Sequence, residues 1–230
     1  MSLVFAAPAP VLVPTADGRQ FPVHRVYCVG RNYVEHAQEM GFSGREPPFF
    51  FLKPADAVVP VAEGETGRMA YPSLTEDLHH EVELVVAIGL GGSRIAASDA
   101  ARHIWGYGVG LDMTRRDLQT AMKKQGRPWC IGKAFDESAP VGPLTPSALV
   151  ALAGDAEIRL RVNGQPRQES HIGKLIWNVA ETIEHLSAAW TLQPGDLIFT
   201  GTPAGVAAVQ RGDIMEASVS GLRPLRVQLR

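Results

Sequence analysis

Between Asp77 and Gly89 the chain reads Asp77-Leu78-His79-His80-Glu81-Val82-Glu83-Leu84-Val85-Val86-Ala87-Ile88-Gly89. From Val82 onward this is a run of branched apolar residues, the pattern of a buried β-strand. Two acids, Glu81 and Glu83, stand at its entrance. Side chains two apart on a strand share a face. A strand beginning by Glu81 therefore aims both carboxylates at one point beside an apolar core. Like charges held there repel each other and lose hydration, and a divalent cation resolves both problems. The same alternation also suits the wet face of an edge strand, so spacing alone leaves both readings open.

Composition narrows the function classes. A chain of 230 residues can bury a full core as one large domain, or as one domain with a small appendage. A formal net charge of -2 makes no electrostatic case for nucleic acid, and no basic run marks an anionic membrane surface. No apolar run approaches the roughly 20 residues that span a bilayer. Met1 to Pro14 is apolar but holds Pro8 and Pro10 and lacks a basic start, which argues against a signal peptide. Cys28 and Cys130 are far apart, in no metal-type spacing, and read as reduced thiols of a cytoplasmic protein.

In chain order, residues 1–25 predict an extended N-terminal arm with a turn at Asp17-Gly18. Val26 to Val29 predicts a short strand ending at Gly30. Asn32 offers an N-cap, with Glu35 three residues on, for a helix reaching Met40. His36 and Glu39 share a face of that helix, as a general base with its orienting carboxylate requires; a solvated surface pair has the same spacing. Phe49 to Leu52 predicts core strand, and Lys53 faces either solvent or a cleft. Ser98 predicts the cap of a short helix through Ile104. Tyr107 to Leu111 predicts a strand delivering Asp112 at its end, either a turn residue or a third carboxylate for the Glu pair.

Thr114 reads as the N-cap of a helix through about Lys124, with Arg116 and Gln119 on one face, and Lys133 and Phe135 follow in an extended segment. Ile158 to Val162 alternates apolar and basic residues, and Asn163-Gly164 signals a hairpin. Ile176 to Trp190 carries the strongest helical period. Thr202, in Gly201-Thr202-Pro203-Ala204-Gly205, presents a hydroxyl and backbone N–H groups to an anion, or belongs to a plain tight turn.

Five of these pieces in this order resemble the fumarylacetoacetate hydrolase family. They are Gly30-Arg31-Asn32-Tyr33 with His36-x-x-Glu39, then His80-Glu81-Val82-Glu83, Asp112-Met113-Thr114, Arg116-Asp117-x-Gln119, and Gly201-Thr202-Pro203-x-Gly205. The likeness spans about Val26 to the C-terminus and points to the acylpyruvase branch. Arg25 to Tyr33 together with Pro47 to Phe51 resembles the fumarylpyruvate hydrolases of gentisate breakdown.

The resemblance implies an α+β, β-rich fold, a mixed β-roll with a few short helices. It implies an arm over 1–25, a single catalytic domain over 26–230, and a homodimer. It implies that Glu81, Glu83 and Asp112 hold Mg²⁺ or Mn²⁺, and that His36 and Glu39 activate water. Lys133 becomes a catalytic cation, and Arg31, Asn32, Arg116, Gln119 and Thr202 become substrate-facing. The implied reaction is metal-dependent hydrolysis of a 2,4-dioxo acid, fumarylpyruvate giving fumarate and pyruvate. Decarboxylation or keto–enol exchange of oxaloacetate is the alternative, and a non-enzymatic binding protein is a third reading. Hard oxygen donors suit a hard cation that chelates a dioxo acid.

Overall fold

The computed structural model of the chain describes residues 3–34 and 45–230. The strand beginning at Val82 runs Val82–Ile88 and is buried along its whole length. Each of its faces meets apolar residues, which is why it reads as a continuous apolar run. Val82 and Leu84 pack with Ile158, Leu160, Met215 and Val227 of a second sheet. Val85 and Ala87 pack on the opposite side with Val13, Phe21, Val141 and Phe199. Val86 and Ile88 meet Ile183 and Leu186 of the helix Val179–Ala189.

The large sheet runs in the order Phe49–Lys53, Val26–Gly30, Leu197–Phe199, Val82–Ile88, Ile104–Leu111, Ala139–Val141, Val58–Pro60, with Thr145–Pro146 also paired to Ile104–Leu111. It is mixed: Leu197–Phe199 runs parallel to Val26–Gly30 and antiparallel to Val82–Ile88. The five-stranded sheet takes the order Gln165–His171, Glu157–Val162, Ile214–Val219, Leu225–Leu229, Gly67–Met69. Its hairpin turns at Asn163-Gly164, both at positive φ (51° and 76°), as a two-residue turn between twisted strands requires. The result is the β-rich α+β roll expected, with few helices.

Several local expectations are revised. Residues 12–22 form a hairpin, Leu12–Pro14 with Gln20–Pro22, whose Val13 and Phe21 enter the shared core; apolar burial holds the arm on the body. The segment 97–103 is a 3₁₀ helix preceded by Ala96, with no side-chain cap from Ser98. The best helix is Val179–Ala189, shorter than its apolar period because Asn178 and Glu181 form a capping box that sets its start. Thr114 and Arg115 make a two-residue strand paired to Leu78–His79, so the next helix is Arg116–Lys124. Lys133 ends a one-turn helix, Cys130–Lys133, instead of lying in extended chain. Among the described residues no helix is long and apolar enough to cross a membrane.

Candidate metal centre

Adjacent strands bring the acids together. Glu83 pairs in register with Gly110, and the Asp112 N–H donates to the Glu81 carbonyl at 2.9 Å. The end of Ile104–Leu111 is thus tied to the start of Val82–Ile88. Carboxylate oxygens of Glu81, Glu83 and Asp112 lie within 4.8 Å of one another, and all three residues are buried. The wet-edge reading of Glu81 and Glu83 is excluded, because both sit in the centre of the fold.

Three cations balance the cluster unevenly. The Lys133 ammonium donates to Glu81 Oε2 at 2.7 Å, Asp112 Oδ2 at 2.6 Å and Thr114 Oγ1 at 2.7 Å. Burial alone would push its pKa down, but Asp112 and Glu81 outweigh that and hold it above the usual lysine value; Lys133 is a fixed positive charge. The Arg116 guanidinium bonds Glu81 Oε1 through Nη2 and Gln119 Oε1 through Nη1 at 2.5 Å. Lys53 is 1% exposed, with Nζ 2.8 Å from Asp112 Oδ1. Its protons go instead to the carbonyls of Met113 (3.1 Å) and Lys133.

Glu83 has no cationic partner within salt-bridge distance among the described residues. It accepts one bond, from the Gly201 N–H at 2.6 Å. Burial, then the charges of Asp112 and Glu81, raise its pKa well above the usual carboxylate range. Asp112 Oδ1 receives no directed hydrogen bond among the described residues. An under-compensated Glu83 and an Asp112 oxygen that accepts no hydrogen bond among the described residues, in an all-oxygen donor set, fit a divalent hard cation.

The floor of the cleft is braced from the second sheet. Thr202 Oγ1 donates to the Val82 carbonyl at 2.9 Å and accepts from Gln168 Nε2 at 2.8 Å. Its hydroxyl proton is committed, so what Thr202 offers a ligand is backbone. Gln168 Nε2 also donates to the Pro203 carbonyl (2.8 Å), and its Oε1 accepts from Val82 N–H (3.1 Å) and His80 Nδ1 (2.9 Å). Gln168 can only accept at Oε1, so His80 carries its proton on Nδ1. Burial, opposed by that bond, lowers the His80 pKa to about 4, and the ring stays neutral.

Gly201 at φ +100° sits against Asn32, 2.7 Å from where a Cβ would stand; only glycine fits there. We expect Gln168→Leu to leave four buried groups without their partner. Stability then falls by about 3 kcal/mol, read as a lower urea midpoint at unchanged slope. An unshifted midpoint would show the brace to be dispensable.

The remaining expected residues separate by placement. Arg31, Glu81, Glu83, Asp112, Arg116, Gln119, Lys133 and Thr202 line one cleft together with Trp129. Asn32 is fully buried, and its amide is spent on the backbone: Nδ2 donates to the carbonyls of Trp177 (2.9 Å) and Thr200 (2.8 Å), and Oδ1 accepts from Trp177 N–H (2.8 Å). It ties the backbone at Trp177 to that at Thr200. His36 and Glu39 lie outside the described residues.

Lys53 and Gln168 escape sequence reasoning for different reasons. The lysine ends a strand whose aromatics, Phe49 to Phe51, are only half-buried while it is buried, reversing the usual order. The strand Gln165–His171 has no inward apolar residue, only Gln168 and Ser170, so no hydrophobic alternation flags Gln168.

Residues 25–230 match the family description "Fumarylacetoacetate (FAA) hydrolase C-terminal". A fumarylpyruvate hydrolase from Pseudomonas aeruginosa, solved in complex with Mn²⁺ and pyruvate, superposes with a TM-score of 0.97 at 57% identity, covering 99% of each chain. A fumarylpyruvate hydrolase from Ralstonia sp is 46% identical over 178 residues, 77% of this chain and 90% of that one. The mitochondrial oxaloacetate tautomerase FAHD1 of Rattus norvegicus is 38% identical over 204 residues, 89% of this chain and 90% of that one.

Proposed function

Because the chain belongs to the fumarylacetoacetate hydrolase family, we propose that it hydrolyses the C–C bond of an acylpyruvate, converting fumarylpyruvate to fumarate and pyruvate. The observation that carries this reading is the buried triad Glu81, Glu83 and Asp112 beside a fixed Lys133 ammonium. Similarity to enzymes named for this reaction supports the acyl group. In this reading the protein is a cytoplasmic homodimer serving the breakdown of aromatic compounds.

The triad would hold Mg²⁺ or Mn²⁺, which when bound supplies a Lewis acid for the dioxo unit. The chain's own groups do the rest. His36, oriented by Glu39, takes a proton from water. The hydroxide adds to the distal acyl carbon, the bond from that carbon to the adjacent methylene breaks, and the electron pair leaves with the pyruvate half as its enolate. Lys133 steadies that negative charge, and protonation of the enolate carbon gives pyruvate. Arg116, held by Glu81 and Gln119, is fixed to receive a substrate carboxylate. Thr202 lines the same cleft.

Keto–enol exchange or decarboxylation of oxaloacetate is the second reading, favoured by the 38% identity to the rat tautomerase. It needs no attacking water, and a His36/Glu39 water-activating pair favours hydrolysis. Purified protein with Mg²⁺ should release pyruvate and fumarate in equal amounts from fumarylpyruvate, and a chelator should stop it. Failure there, with oxaloacetate enol consumed or carbon dioxide released, would replace hydrolysis by the second reading. Mg²⁺ or Mn²⁺ should also raise the melting temperature, since a ligand of the folded state stabilises it.

A further inference from the structure

The carboxylate cleft does not end at Lys133. Arg31, Phe51, Trp129 and Lys133 line both it and an adjoining trough that continues over Phe49 to Arg127. Trp129 stands edge-on to Phe49 with ring centres 5.3 Å apart, and tilted against Phe51 at 6.1 Å. The Lys133 ammonium lies 5.1 Å from the Phe51 ring centre. Aromatic walls therefore begin where the catalytic cation ends, a shape for a flat conjugated chain.

Arg127 is exposed, and among the described residues no carboxylate pairs with it. Its position is set by the backbone. The helix Arg116–Lys124 stops in a double bond: Gly126, at φ +63°, donates to the Lys123 carbonyl at 3.2 Å, and Arg127 N–H reaches back to the Met122 carbonyl at 3.0 Å. This Schellman stop followed by Pro128 aims the chain into the trough.

We propose that the aromatic trough is the subsite for the acyl arm, and that Arg127 recognises a carboxylate at its far end, selecting dicarboxylic over monocarboxylic acylpyruvates. This rests on the acylpyruvate reading above.

The test compares wild type, Arg127→Gln and Arg127→Lys on fumarylpyruvate and on acetylpyruvate, which lacks the far carboxylate. KM for fumarylpyruvate should rise about 10- to 100-fold in Arg127→Gln, as loss of a charge-assisted bond predicts. Its kcat should stay within about twofold, the acetylpyruvate KM should hold, and Arg127→Lys should recover part of the loss. Equal effects on both substrates, or none, would overturn the proposal. A second arm does not depend on turnover: calorimetric binding, with Mg²⁺ present, of fumarate and of crotonate, its monocarboxylate counterpart. Wild type should prefer fumarate, and Arg127→Gln should lose that preference; a preference retained by the variant, or absent from wild type, refutes the Arg127 role. If neither acylpyruvate is cleaved, the reaction assignment fails and the binding arm alone decides on Arg127.

Discussion

Glu83→Gln should lower metal-dependent turnover by about 10²- to 10³-fold or more while making the metal-free protein more stable at pH 8. The two effects share one cause. In the fold, burial and the neighbouring Asp112 and Glu81 charges raise the Glu83 pKa well above its ordinary 4.5. The unfolded carboxyl loses its proton near 4.5, so above that pH the folded state binds more protons than the unfolded one. Stability then declines as pH rises, up to the folded pKa. Glutamine has no proton to lose and still accepts the Gly201 N–H, so its stabilising effect should grow with pH over that window. Mg²⁺ should raise the melting temperature of wild type and leave that of the variant nearly unmoved. A metal-free variant less stable than wild type at every pH would contradict the charge argument. Retained metal-dependent activity would remove Glu83 from the ligand set.

Lys53→Met should strongly destabilise the metal-free protein. Lys53 is the buried cation nearest Asp112 Oδ1, and it satisfies the carbonyls of Met113 and Lys133. Methionine fills a similar volume but takes the cation from Asp112 Oδ1, leaving only Lys133 on Oδ2, and removes the ammonium that the Met113 carbonyl accepts from. Breaking a buried pair from one side costs about 3–5 kcal/mol, which for a chain of this length lowers the melting temperature by roughly 10 °C. Mg²⁺ should recover part of the loss, because a cation at the triad gives Asp112 a new partner. A melting temperature within about 2 °C of wild type would mean that Lys53 is not a structural counter-charge.

What could be read in advance follows the range of the physics involved. The strands Val26–Gly30, Val82–Ile88 and Glu157–Val162 announce themselves by residue type and alternation, which act over neighbouring residues. The Asn163-Gly164 turn is local for the same reason. Asp112 was legible only as a possible third carboxylate, because nothing near it in sequence says which strand lies alongside. Thr114 looked like a cap because its type and spacing suit one. In the structure it pairs with His79, and its hydroxyl accepts a hydrogen bond from the Lys133 ammonium, a contact across 19 residues that no local rule can see. Asn32 shows the same limit: its type suits a cap or a substrate contact, and nothing local predicts the bonds its amide makes to distant backbone at Trp177 and Thr200.

The sequence by itself determined much of the local grammar of this protein: the strongly apolar or alternating strands, where the acids and bases stand along them, and a motif order that identifies the family. Tertiary structure alone decided which charges neutralise which. Lys53, left open between solvent and cleft by the sequence, and Gln168, silent in it, became the counter-charge and the brace of the site. Arg127 was left facing an aromatic trough with no carboxylate partner among the described residues. The reason is physical: periodicity reports the burial of a side chain, whereas the strength of a charge interaction depends on separation and on exclusion of water, and both are settled only when strands remote in sequence are packed together.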